Sequence, residues 1–233
     1  MRKLITASAT LALLGTVVLS GPANAAETLT AQGSSFANGR ISACAASYTT
    51  DTVNYTSSSS GKGRTAFAAG TADFAGSDAV YTADFPTVKY QYIPVTGGPI
   101  AFAYNVSGVD GLRLTPELIA EIFSGKITKW NDAKIAKINK GLKLPNKTIT
   151  VGYRSGSSGT SENLTDYLVQ SKKATGWKKS STFESATPTL PASKFTAGNS
   201  QEMATKIDQT GYSIGYADLF EVIDLDLQFA SLS

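Results

Sequence analysis

From Leu29 onward two kinds of segment take turns along the chain. Short apolar or β-branched runs at Thr52–Thr56, Ala72–Ala75, Tyr90–Val95, Ile100–Tyr104, Ile149–Gly152 and Tyr212–Tyr216 predict strands. Between them, Ala37–Tyr48, Arg64–Ala69, Pro116–Phe123, Asp132–Ile138, Glu162–Gln170 and Gln201–Asp208 carry helical spacing. Leu164, Tyr167 and Leu168, for example, fall on one helical face. Such alternation predicts an α/β layered fold. Local chemistry marks some boundaries: Thr115-Pro116-Glu117 combines a cap, a first-turn proline and an acid that complements the helix dipole, and Gly125 supplies a left-handed stop. Ser171–Ser200, with Pro188, Pro191 and many hydroxyls, has little periodicity and is expected to be a surface excursion.

Residues 1–25 follow a different pattern. Arg2 and Lys3 precede an apolar run over Leu11–Ser20, and Ala23-Asn24-Ala25 offers small residues for cleavage, which predicts a signal peptide. The apolar run is too short to span a bilayer. No cysteine follows it for a lipid anchor, so a periplasmic or secreted protein without direct membrane insertion is expected.

Composition narrows the chemistry. The 233 residues are 42% hydrophobic and 17% charged, which suits a globular chain with a real core. Removal of 1–25 would leave 19 Lys+Arg against 18 Asp+Glu, a poor balance for binding nucleic acid. Cys44 stands alone, so no intramolecular disulfide can form; it is expected to pack beside Ile41 and Tyr48 as a small hydrophobe. The chain has no histidine, which removes Ser-His-Asp and Cys-His catalysis and the commonest metal ligand. No catalytic residue, metal or cofactor is therefore assigned. Gly61-Lys62 lacks the surrounding glycine and hydroxyl of a nucleotide loop, and Asp224 with Asp226 reads as a solvated edge.

What remains is a set of four remote polar clusters: Gln32–Phe36, Ser57–Gly63, Asp73–Asp78 and Arg154–Thr160. They are rich in hydroxyls and in glycines that leave N–H groups open, and they supply one fixed cation and a carboxylate. A desolvated oxyanion needs donors on every oxygen, and helix N-termini meet part of that need. Ser60-Gly61-Lys62-Gly63 and Ser158-Gly159-Thr160 each precede a predicted helix, so two of the clusters are expected at helix starts.

In this order the clusters resemble the substrate-binding family of the bacterial phosphate-specific ABC transporter, the PstS type. Gly33-Ser34-Ser35-Phe36, Asn54-Tyr55 through Gly63, Thr71–Ala79, Ile122–Asp132, Gly141–Pro145, Arg154…Ser161 and Ser213–Tyr216 each look like a segment of that family. The resemblance implies a two-lobed, periplasmic-binding-protein-like α/β fold of type II with a ligand cleft between the lobes. Lobe 1 would comprise 26–104 plus 217–233 and lobe 2 105–216, with hinges near Tyr104–Asn105 and Tyr216–Ala217 and the C-terminal tail returning to lobe 1. Inorganic phosphate would be held by Ser35, Phe36, Ser60, Asp78, Arg154, Ser158, Gly159 and Thr160. Asp78, an acceptor only, would favour a protonated oxyanion and reject sulfate. The position two residues after Arg154, acidic in the family, is Gly156 here. The implied role is capture of phosphate by a monomer, without catalysis, for an ABC permease and its ATPase. A secreted interaction or adhesion protein of the same fold, and a phosphate-ester hydrolase, are the alternative readings.

Overall fold

A computed structural model describes residues 26–233; the expected signal peptide at 1–25 lies outside the described residues. The chain first builds a small parallel sheet from β1 (Thr28–Gly33), β2 (Thr52–Ser57) and β3 (Phe74–Gly76), in the order β2-β1-β3, with α1 (Ser35–Ser47) and α2 (Ser60–Ala68) packed against it. Gly33 lies opposite both Ser57 and Gly76. The three carboxyl ends are therefore level, and the loops leaving them share one edge. In an open α/β sheet that edge is where ligands bind.

The rest of the chain forms a larger body. Its elements are β4 (Ile100–Asn105), β5 (Arg113–Leu114), α3 (Pro116–Phe123), α4 (Ala133–Ile138), β6 (Thr150–Arg154), α5 (Gly159–Gln170), α6 (Phe183–Ala186), β7 (Lys194–Ala197), α7 (Ser200–Gln209), β8 (Ser213–Asp218), α8 (Leu219–Asp224), β9 (Gln228–Phe229) and β10 (Ser231–Leu232). Five of the strands make a mixed sheet, β7-β6-β8-β4-β9. β6 pairs in parallel with both β7 and β8, so these strands also end on one edge, at Arg154, Ala197 and Asp218.

α3 shows the local logic. Thr115 accepts a bond from Leu118 N, Pro116 opens the first turn, and Gly125 adopts φ +72° beyond Ser124. The helix spans Pro116–Phe123 as the sequence predicts, and it buries Leu118, Ile119, Ile122 and Phe123. They join a core in which Phe123, Phe183 and Tyr216 pack ring against ring and Tyr153 stacks on Phe183 at 4.6 Å.

Several expectations are corrected here. The stretch 171–200 is not a surface excursion: Trp177, Phe183, Ala186 and Ala197 are buried, and β7 is one of the sheet's two edge strands. Its apolar residues are too widely spaced to show a period. Tyr90–Val95 forms no strand, and Tyr92, Ile93 and Val95 are exposed. Cys44 lies on the exposed side of α1. In the tail, β9 pairs with β4 and β10 with β5. β4 and β8 form a continuous antiparallel ladder from Ile100↔Asp218 to Asn105↔Ser213. No helix among the described residues is long and apolar enough to cross a membrane.

Candidate functional site

The two edges face each other. On the first, Ser34 caps α1 by accepting from Ala37 N, and its hydroxyl donates to Asp78 Oδ1. Ser60 opens α2 behind the cap Ser59; its hydroxyl donates to Asp78 Oδ2 at 3.1 Å and accepts from Asp78 N at 3.1 Å. Asp78 is thus oriented by the starts of two helices. Tyr55 holds the Ser34 carbonyl at 2.8 Å.

On the second edge, Arg154 ends β6 and is 1% exposed. Its Nη1 donates to Thr160 Oγ1 at 3.4 Å and Ser200 Oγ at 3.2 Å, and Nη2 donates to the Gly198 carbonyl at 2.8 Å. These partners hold the guanidinium although Gly156, at φ +69°, merely turns the loop. Tyr216, fully buried, accepts from Arg154 N and lies 2.7 Å from Ser161 Oγ. Burial pushes its hydroxyl up to about 12. Ser158 caps α5 through Ser161 N, and Gly159 begins the helix.

Contacts across the edges are close. A Cβ on Gly159 would stand 2.5 Å from Ser60 Oγ and 2.8 Å from Asp78 Cβ, so only glycine lets α5 approach α2 and Asp78 this closely. Gly61 N donates to the Ser157 carbonyl at 3.3 Å, Asn163 Nδ2 to the Asp78 carbonyl at 3.1 Å, and Ser200 N to Ser35 Oγ at 3.2 Å. Arg64 and Glu162 add an ion pair at 3.8 Å. The starts of α1, α2, α5 and α7 thereby converge, each contributing partial positive charge.

The electrostatics follow from burial. Desolvation raises the Asp78 pKa against the opposing pull of the Ser34 and Ser60 hydroxyls and of Arg154 and Arg64. Desolvation also lowers that of Arg154. Asp218, at the end of β8, is 4% exposed and pushed up to about 6, first by burial and, among charges, chiefly by Asp78. Arg154 Nε and Asp218 Oδ2 are buried with no hydrogen-bond partner among the described residues. Two carboxylates and one guanidinium inside a ring of N–H and O–H donors suit a small, protonated oxyanion.

Of the residues expected from the sequence, Ser60, Asp78, Arg154, Ser158, Gly159 and Thr160 come together directly. Ser35 joins them through Ser200, and half-buried Phe36 lines the adjoining hollow with Asp218. Lys62 is exposed and takes no part. Sequence reasoning missed Ser34 as the partner of Asp78, and it missed Ser200 and Asp218. Asn199-Ser200 before a predicted helix was a cap signal for the second of these, whereas nothing local marks Asp218.

The fold and this cradle define a two-lobed, periplasmic-binding-protein-like α/β protein. The chain belongs to the PBP superfamily domain family, whose model matches residues 20–231. It is 36% identical over 219 residues to the phosphate-binding protein PstS of Pasteurella multocida, covering 89% of this chain and 61% of that protein. It is 34% identical over 206 residues to the protein of the same name from Xylella fastidiosa, covering 86% and 56%. The chain therefore spans less than two thirds of the length of these relatives. Among solved structures, a phosphate-binding protein from Stenotrophomonas maltophilia superposes with a TM-score of 0.70 at 24% identity over 88% of this chain and 64% of that one. A putative phosphate ABC transporter substrate-binding protein from Clostridium perfringens gives 0.67 at 16%, over 88% and 75%. Both share the fold.

Proposed function

We propose that this chain captures inorganic phosphate between its lobes and hands it to an ABC permease and its ATPase, acting outside the cytoplasm as an exported monomer and without catalysis. The observation that carries the reading is the pairing, across one cleft, of a carboxylate held by two helix starts with a guanidinium held by three acceptors. A carboxylate cannot donate, so Asp78 favours an anion that brings its own proton, while Arg154 and the N–H groups take the remaining oxygens. The phosphate-binding names of the relatives support the same ligand.

Capture needs a closed state in which both lobes satisfy the anion at once. We place lobe 1 at 26–99 and lobe 2 at 100–233, because β4, β8 and β9 share one sheet. The chain then crosses between the lobes once, and the bend belongs near Pro99, whose carbonyl accepts from Leu219 N at 3.1 Å. Ser35, Phe36, Ser60 and Asp78 would meet phosphate from lobe 1, and Arg154, Ser158, Gly159 and Thr160 from lobe 2.

Calorimetric titration with phosphate and sulfate tests this. Wild type should bind phosphate and reject sulfate, and Arg154→Ala should cost about 2–5 kcal/mol of phosphate affinity by leaving buried groups unpaired. Equal binding of the two anions, or no binding of phosphate, refutes the assignment.

A further inference from the structure

The carboxylate with a free oxygen in this cradle is Asp218. Both oxygens of Asp78 already accept hydroxyls, from Ser34 and Ser60. Asp218 ends β8 on the same edge as Arg154, and it occupies the cap position of α8 without capping it. An aspartate there ordinarily accepts from the first turn; this one leaves Oδ2 buried and unpartnered. Ser200 links it to the site, since the hydroxyl that takes Arg154 Nη1 also favours the ionised Asp218. A buried acceptor left without a donor costs free energy that a ligand proton would recover.

We infer that Asp218 is a second specificity-determining residue of the anion site, so that phosphate is held with one proton more than the dibasic ion brings, shared between a phosphate oxygen and Asp218 Oδ2. This rests on the phosphate reading above. The charge count supports it. Asp78 and Asp218 face one guanidinium, and a dianion placed among them adds to an already negative hollow, a repulsion that one further proton reduces. Asp78 and Glu221 raise the affinity of Asp218 for a proton, and Arg154 and Ser200 lower it. Arg40 and Asp224 stand on the rim of the adjoining hollow. Burial already holds the carboxyl at about 6, and an adjacent anion pushes it in the same direction.

Titration of the full chain with inorganic phosphate, in two buffers of different ionisation enthalpy, counts the protons. At about pH 8.5, where free phosphate carries one proton, wild type should take up close to one proton per phosphate and Asp218→Asn close to none. The wild-type affinity should also fall by up to about tenfold per pH unit relative to the variant. Sulfate, which brings no proton, should gain affinity in Asp218→Asn. If the variant fails to fold, a wild-type count of no protons still overturns the inference. Phosphate heats that are the same in both buffers overturn this inference and leave the phosphate reading standing. A wild type that gives no heat with phosphate overturns that reading, and this one with it.

Discussion

Among the described residues before 100, the buried apolar side chains are Ala31, Ala37, Ala66 and Ala72; after 100 they include Tyr104, Phe123, Trp130, Phe183 and Tyr216. The two halves present similar loop edges to the cleft yet are held by different forces. Alanine removes little apolar area from water, at roughly 25 cal/mol per Å². The first lobe therefore relies on backbone pairing, on helix caps and on its contacts across the cleft. The second stands on a continuous aromatic and aliphatic core, and it carries Arg154 on a strand that this core fixes. One lobe is a platform of large buried side chains, and in the other the buried apolar side chains are alanines.

The largest expected effect separates them most sharply. Phe123→Ala, at 0% exposure, should cost about 3–5 kcal/mol in a denaturant melt and lower the stability of the whole molecule. Next comes the charge buried at the cleft. Asp218 shifts from 3.8 to about 6, so its ionisation opposes the closed, folded arrangement. Well below 3.8 the carboxyl is neutral in folded and unfolded chains alike and costs nothing. As pH rises from 3.8 to about 6 the folded state loses on the order of 2–3 kcal/mol through this group. Asp218→Asn should accordingly melt higher than wild type at neutral pH, and the difference should vanish as pH falls well below 3.8. Asp78 moves in the same direction.

Gly159→Ala tests the contact between the lobes. Its Cβ would meet Ser60 and Asp78, so about 1–3 kcal/mol of anion affinity should be lost while the second lobe keeps its melting behaviour. The smallest effect is expected in the first lobe. Val53 is half-buried on β2, and Val53→Ala should cost about 1 kcal/mol or less. Amide exchange sharpens the same contrast: β1–β3 should open more readily than β6 and β8, and phosphate should close the gap. Uniform protection in the free protein would break the comparison.

Much of the fold was legible where local rules and tertiary packing agree. α3 carries its own cap, proline and stop, and its apolar face is periodic, so its limits follow from the residues alone. Ser60 and Gly159 sit at helix starts that polar residues announce. By contrast, Tyr90–Val95 has strand-like residues but no partner strand, and propensity without a ladder leaves an extended arm. β7 and the tail strands are too short to signal themselves; they exist because a neighbouring edge offers hydrogen-bond partners.

By itself the order of residues determined the α/β alternation, the helix starts and the polar clusters that suit an oxyanion, because these depend on groups a few positions apart. Only the tertiary structure decided that Ser200 and Asp218 join those clusters, that the tail adds to the larger sheet, and that one lobe has a core of large side chains. Those facts depend on burial and on pairing between segments as much as 165 residues apart, such as Ser35 with Ser200, and no local pattern encodes which distant group will share a desolvated space.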